Sequence, residues 1–225
     1  MKKLTVAIDG PAGAGKSTVA RIVAERLEYT YIDTGAMYRA VTWEVMRRQV
    51  NPVDPLETAK VAESLNLTLD SSQGKTRVKV DDADISEAIR TPEVSRLVAT
   101  VAANGGVRLA MVNLQRQLAA LGGVVLDGRD IGTHVLPGAD LKIFLTASIE
   151  ERAKRRWLEM SQKGFAVDLA ELQREIACRD EADCSRDIAP LIQAPDAVRI
   201  DTTELSIDGA VSAILQLCEA KSRGL

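Results

Sequence analysis

One stretch near the start of the chain limits what the rest can be: Val6-Ala7-Ile8-Asp9-Gly10-Pro11-Ala12-Gly13-Ala14-Gly15-Lys16-Ser17-Thr18. It reads as a short apolar strand, a glycine-rich turn and a helix start. The turn satisfies G-x-x-x-x-G-K-[ST], the P-loop pattern. Gly10 and Gly15 permit φ values that L-residues resist, while Gly13 and the small Ala12 and Ala14 keep side-chain bulk away from a ligand. Successive backbone N–H groups then converge on a phosphate at a helix N-terminus, where the helix dipole also favours an anion. Lys16 adds a positive charge for β- and γ-phosphates, and Ser17 offers a hydroxyl to Mg²⁺. Average glycine usage would give this pattern by chance in about 1% of chains of this length. The apolar strand before it and the apolar Val19, Ile22, Val23 and Leu27 after it lower that further. Binding of a nucleoside triphosphate by Gly10 through Thr18 is therefore the first expectation.

The chain has 225 residues, enough for one domain with insertions and a substantial core. A hydrophobic content of 46% and a charged content of 27% are ordinary for a globular enzyme. The formal net charge of -3 implies no general affinity for nucleic acid. The start Met1-Lys2-Lys3-Leu4 imitates an export signal, but Asp9 interrupts the apolar run too early. No later run approaches membrane-spanning length. The three cysteines Cys178, Cys184 and Cys218 have no metal-ligand spacing, and a sparse odd count fits free thiols in a reducing cytoplasm. His134 is the only histidine, and we read it as structural.

Strands are expected at Leu4–Asp9, Tyr31–Asp33, Val124–Asp127, Leu141–Leu145 and Val198–Ile200. Helices are expected at 16–27, 34–47, 56–65, 91–103, 107–121, 149–160, 168–183 and 206–220. Thr91-Pro92-Glu93 carries a cap, a proline at the first helical position and an acid in the first turn. Ser148 with Glu151, and Asp168 with Glu171, have capping-box spacing. Between 66 and 86 the texture changes: Leu67-Thr68-Leu69, Thr76–Val80 and Ile85, separated by Ser71-Ser72-Gln73-Gly74 and Asp81-Asp82, read as a small antiparallel meander. Five strands alternating with helices predict a three-layer α/β fold with a five-stranded parallel sheet. Ligands of such sheets sit beyond the carboxyl ends of the strands. The P-loop, Asp33-Thr34 and Asp127–Asp130 should share that rim.

A P-loop serves GTPase switches, motors and small-molecule kinases. The chain has no N-K-x-D to read guanine, and motors are usually larger. A kinase needs a second pocket with positive charge where two anionic substrates meet. Phosphoryl transfer between phosphates is catalysed mostly by positioning and electrostatics. Arginines suit this because a planar guanidinium bridges two oxygens and stays charged. Arg39, Arg129, Arg179 and Arg186 lie near element ends, and Arg152, Arg155 and Arg156 share one helix.

Asp33-Thr34-Gly35-Ala36-Met37-Tyr38-Arg39, Ile89-Arg90-Thr91-Pro92-Glu93-Val94, Leu126-Asp127-Gly128-Arg129-Asp130-Ile131-Gly132-Thr133, Lys142-Ile143-Phe144-Leu145 and Arg179-Asp180-Glu181-Ala182-Asp183-Cys184-Ser185-Arg186 resemble the bacterial cytidylate (CMP) kinases. With the P-loop, the likeness covers nearly the whole chain. The resemblance implies the P-loop kinase fold and transfer of the γ-phosphoryl group of ATP to CMP or dCMP with Mg²⁺. It implies a core (1–38, 124–150 and 187–225), an acceptor-side domain (39–123) carrying the β insertion, and a short helical lid (151–186). By similarity, Lys16, Arg39, Arg129 and Arg186 would do the charge-stabilising work, the three arginines holding the acceptor phosphate. Arg179 would join the acceptor site, Asp183 would accept from the ribose, and Arg108 with Asp130 would read the base. Cytosine shows an amino donor at N4 beside acceptors at N3 and O2, so an acid paired with an arginine suits it; uracil inverts positions 4 and 3. CMP and dCMP should then be preferred over UMP. The other reading of Asp130 is a structural partner of Arg129.

Thr34 lines the acceptor site by resemblance, and is also read as a helix N-cap. Arg152 and Arg156, one turn apart, are expected to contact ATP or to form a solvated face. Asp127 ends a strand and either holds Mg²⁺ through water or fixes a loop. The chain departs from the family pattern at Ala99, where a serine commonly reaches cytosine, and at Cys184, where serine is usual. Thr100 lies about 100° around the helix and does not replace that serine. A UMP-preferring or other small-acceptor kinase is the nearer alternative, and a nucleotide-dependent switch the more distant one. The resemblance implies a monomer with small-molecule partners and no nucleic-acid or membrane partner.

Overall fold

The computed structural model describes residues 3–70, 76–162 and 164–224. The expected Met1-Lys2 start and the Ser71-Ser72-Gln73-Gly74 turn lie outside the described residues. The chain runs β1 (Thr5–Asp9), α1 (Lys16–Leu27), β2 (Thr30–Asp33), α2 (Thr34–Arg47), α3 (Pro55–Glu63), β3 (Leu67–Asp70), β4 (Arg77–Val80), β5 (Ala83–Asp84), α4 (Pro92–Ala103), α5 (Gly105–Ala119), β6 (Val124–Gly128), β7 (Leu141–Thr146), α6 (Ile149–Gln162), α7 (Leu169–Ser185), β8 (Val198–Asp201) and α8 (Ile207–Ser222). A 3₁₀ turn at Ala88–Arg90 and a π-helical turn at Ile131–Val135 complete it. Neither of these two turns is foreseen by periodicity, because each is only one turn long.

The parallel sheet has the order β2-β6-β1-β7-β8, and β3-β4-β5 form a separate antiparallel sheet. The inner strands β6 and β7 are buried along most of their length, as a sheet covered on both faces requires. On one face, α1 and α8 pack through Val19, Val23, Val211 and Ile214 against Val6, Ile8, Ile143 and Leu145. On the other, Met37 and Val41 of α2 and Val107 and Met111 of α5 join Ala7, Ile32 and Leu126 in a core that extends to Val78 and Val80 of the insertion. The meander is thus anchored to α2 and α5. Leu172 and Ile176 of α7 pack with Ala153 of α6 in a small separate cluster.

Helix ends follow local chemistry. Thr91 caps α4 and Pro92 opens it, as its sequence predicts. Ser148 Oγ accepts from Glu151 N–H, and Asp168 caps α7. Asn104 ends α4 and caps α5, accepting from Gly106 and Val107 N–H, so α5 begins at Gly105 rather than at the expected Val107. The two helices bend by 93° there, and among the described residues no single helix is long and apolar enough to cross a membrane. Among the described cysteines none is paired: Cys178 and Cys184 are exposed and Cys218 is buried.

Candidate active site

The register β1–β6 pairs Asp9 with Gly128, and β2–β6 pairs Asp33 with Asp127. The P-loop, the start of α2 and the turn after β6 therefore meet at one rim, as expected. Gly10, Gly13 and Gly15 have φ of 147°, 77° and 87°; Gly13 joins the two glycines expected to need that freedom. A Cβ at Gly10 would lie 1.9 Å from the Leu145 carbonyl oxygen. Gly15 precedes α1 without a side-chain cap, whereas α2, α3, α4, α5, α7 and α8 all have one. The N–H groups of the first turn of α1, from Lys16, Ser17 and Thr18, are left for an anion.

Lys16 is buried, and its Nζ donates to the Pro11 carbonyl at 2.6 Å. Burial first, then the nearby Arg129 charge, pushes its pKa well down. Arg179 is brought to about 10 by burial and then by Arg129, with Arg39 and Arg156 adding to the effect. Arg39 is lowered by burial, and by Arg156, Arg90 and Arg129 among its neighbours. Lys16, Arg39, Arg129, Arg156 and Arg179, drawn from five segments, thus converge closely enough to repel one another. Arg179 Nε is buried without a hydrogen-bond partner among the described residues. Within the protein Arg39 is tethered to Ser95 Oγ at 2.9 Å, and Arg129 Nε to Asp183 at 2.9 Å. Arg186 donates twice to the Ala189 carbonyl and lies 3.8 Å from Asp130.

Asp130 forms a buried ion pair with Arg108 of α5, so the alternative of an Arg129 partner is corrected: Arg129 turns to Asp183 instead. The Arg108 guanidinium also sits 5.6 Å from the Tyr38 ring centroid and donates to the Ala102 carbonyl at 3.4 Å. Burial raises the Asp130 pKa against the pull of Arg108 and Arg186. The N-cap reading of Thr34 is also corrected. Asp33 caps α2 by accepting from Ala36 N–H, and Thr34 is the first helical residue, its hydroxyl donating to the Asp127 carbonyl at 2.6 Å. That bond spends the hydroxyl proton and leaves only acceptor capacity for a ligand.

Asp127 accepts from Ser17 Oγ at 2.8 Å and from the Tyr31 hydroxyl at 2.7 Å. Burial, then the Asp127 charge, raises Asp33 to about 6. Two carboxylates and a serine hydroxyl are hard oxygen donors, and the repulsion between the acids is what a divalent cation relieves, so the residues fit Mg²⁺. Arg152 is buried, donates to the Ala12 and Ala147 carbonyls and pairs with Asp180 at 2.6 Å, so it braces the P-loop. Arg156 projects towards the Arg39–Arg179 cluster, with Glu159 at 3.0 Å. Ala99 and Thr100 are both exposed on α4.

Sequence reasoning missed several supports. Asp9 accepts from Ile131 and Gly132 N–H at 2.8 and 2.7 Å and so fixes the turn bearing Arg129 and Asp130; an acid ending an apolar strand was its only signal. Burial raises Asp9 to about 6 despite these bonds. Gly128 allows close approach of Ile131 and Thr34, whose atoms would lie 2.6 and 2.9 Å from a Cβ. Thr202, beyond β8, donates to the Ala14 carbonyl and is held by Arg155. Nothing local marks either residue.

Among solved structures, a shikimate kinase from Bacteroides thetaiotaomicron superposes with a TM-score of 0.51 at 15% identity, covering 97% of this chain and 99% of its own. At that identity the likeness concerns the fold alone. Fold and site together define the class: a P-loop kinase, a phosphotransferase built on a five-stranded parallel sheet. The sequence profile of cytidylate kinases matches residues 6–220. A cytidylate kinase from Desulfitobacterium hafniense is 53% identical over 98% of this chain and 94% of its own. One from Bacillus subtilis is 52% identical over 99% of both. The chain belongs to the cytidylate kinase family.

Proposed function

We propose that the protein transfers the γ-phosphoryl group of ATP to CMP or dCMP, giving ADP and CDP or dCDP. The observation that carries this is the buried Arg108–Asp130 pair on the same rim as the cationic cluster: an acid and an arginine for a base beside guanidinium groups for a phosphate. An oxygen of the acceptor phosphate attacks the γ-phosphorus; the new P–O bond forms as the bond to the β-phosphate oxygen breaks, and ADP leaves with that electron pair. The acceptor oxygen is already anionic, so no general base is required. Lys16, Arg39, Arg129 and Arg186 offset the charge spread over the transferring group. Asp130 accepts from cytosine N4, Arg108 donates to the ring, and Asp183 accepts from the ribose. Arg179 and Thr34 complete the acceptor side. Gly10 through Thr18 cradle the triphosphate, with Arg152 bracing that loop and Arg156 reaching the ATP phosphates. Ser17, with Asp127 through water, would hold Mg²⁺, which when bound neutralises charge on the β- and γ-oxygens.

The lid is read as residues 151–186 and the acceptor-side domain as 39–123, closing on the core formed by 1–38, 124–150 and 187–225. The enzyme is read as a cytoplasmic monomer with nucleotides as its only partners. A coupled ADP-release assay with ATP, Mg²⁺ and a panel of monophosphates tests the reading. Turnover should be highest with CMP and dCMP. Equal or better turnover of UMP would reassign the acceptor, and slow hydrolysis indifferent to CMP would make the protein a switch.

A further inference from the structure

Behind the Arg108–Asp130 pair, the buried face of α5 holds a second polar residue two turns further on. Gln115 has no exposed surface, and among the described residues neither oxygen nor nitrogen of its amide has a hydrogen-bond partner. Its neighbours Met111 and Val112 belong to the apolar core. The amide lies near the Tyr38 hydroxyl, close enough to act on its proton, without a well-formed hydrogen bond between them. The hydroxyl is buried and has no hydrogen-bond partner among the described residues either, and the same holds for Arg108 Nε. Burial is the first cause that raises Tyr38, to about 12, so it stays a neutral phenol with one proton to direct. A leucine or methionine would fill the place of Gln115 without stranding an amide. Polar atoms without partners among the described residues thus occur at Gln115, Tyr38 and Arg108; the Arg108 guanidinium lies against the Tyr38 ring and pairs with Asp130.

We infer that Gln115 is a positioning residue for nucleobase recognition: its amide orients the Tyr38 phenol, whose ring holds the Arg108 guanidinium in register with Asp130. The inference rests on the base-reading role given to Arg108 and Asp130 above. Gln115 touches no substrate; it acts through Tyr38.

Four variants test this in the full-length enzyme: Gln115→Met, Tyr38→Phe, their double variant, and Arg108→Met as the control for base reading. Gln115→Met keeps the volume and removes only the polar atoms. It should raise KM for CMP by about three- to tenfold, because the Tyr38 phenol loses the polar neighbour that directs its proton. The KM for ATP should stay put, kcat should change little, and the preference for CMP over UMP should fall with the CMP affinity. The melting temperature without nucleotide should hold or rise, because an unsatisfied amide has gone. Tyr38→Phe should move KM for CMP the same way, and the double variant should be no worse than the worse single variant. An unchanged KM and base preference in Gln115→Met or in Tyr38→Phe, while Arg108→Met raises KM, overturns the role of Gln115 and leaves base reading intact. Additive effects in the double variant overturn the relay through Tyr38. An Arg108→Met enzyme with wild-type KM for CMP overturns base reading itself.

Discussion

Arg129 shows how a residue's role depends on a partner far along the chain. Its Nε is held by Asp183, which aims the guanidinium across the mouth of the site, beside Lys16 and Arg179. Replacing it with alanine should lower kcat by about 10²–10³-fold, the usual cost of removing one transition-state donor. ATP affinity, measured by titration, should change less than about threefold, since the P-loop is untouched. Asp33 gives a second test at this scale. Its folded-state pKa is raised to about 6, by burial and then Asp127, above the usual value of about 3.9 for an exposed aspartate. The folded state therefore binds the proton more tightly than the unfolded chain, so Asp33 costs stability as pH rises from about 4 to 6. Asn at this position keeps an oxygen for the Ala36 N–H and carries no charge. The stability of Asp33→Asn relative to the wild type, from denaturant melts, should improve by about 2–3 kcal/mol between pH 4 and pH 7. A difference that stays flat with pH would remove the raised pKa.

Whole elements were legible where short-range chemistry decides them. The bounds of α1 and α2 follow from a glycine-rich turn and from Asp33-Thr34-Gly35, and α4 opens at Pro92 as read. Where the sequence offers two neighbouring candidates, the reading slips. Asp33 rather than Thr34 caps α2, and α5 starts two residues early because Asn104 can cap while ending the previous helix. The P-loop itself carries an element-scale prediction. Gly10→Ala places a methyl against the Leu145 carbonyl of β7 at a φ of 147°, so neither the backbone conformation nor the space suits it. It should cost more than about 3 kcal/mol, read as a fall in melting temperature of at least about 6 °C. Gly138→Ala, with nothing within 4 Å of the new Cβ and no positive φ, should stay within about 0.5 kcal/mol of wild type.

At the scale of the molecule, the site is a concentration of like charge in a chain of net charge -3. Lys16 from α1, Arg39 from α2, Arg129 from the turn after β6, and Arg156 and Arg179 from α6 and α7 push on one another and are partly removed from water. A polyanion should relieve that repulsion even without a base or sugar. Inorganic tripolyphosphate at about 100 times its Kd should stabilise the protein by about 2.7 kcal/mol, which for a chain of this size is about 5–11 °C in melting temperature. The shift should shrink with added salt, as exposed parts of the cluster are screened. No shift at any concentration would mean the cluster does not hold phosphates.

By itself, the sequence determined what local physics determines: the phosphate-binding turn, the strand–helix alternation, the helix starts marked by Thr91, Ser148 and Asp168, and the supply of arginines near one rim. Those signals act over a few residues, so they survive without the fold. The tertiary structure decided the partnerships. Asp130 pairs with Arg108 and Arg129 with Asp183, across 22 and 54 positions. Asp9 ties down the turn after β6 from across the sheet, and Arg155 and Arg156, about 100° apart on α6, face Thr202 and the charge cluster respectively. Periodicity says which residues share a face but not which faces meet. That choice belongs to the packing of crossover helices on the sheet, and with it comes the way the Arg108 guanidinium meets the Tyr38 ring and the Asp130 carboxylate.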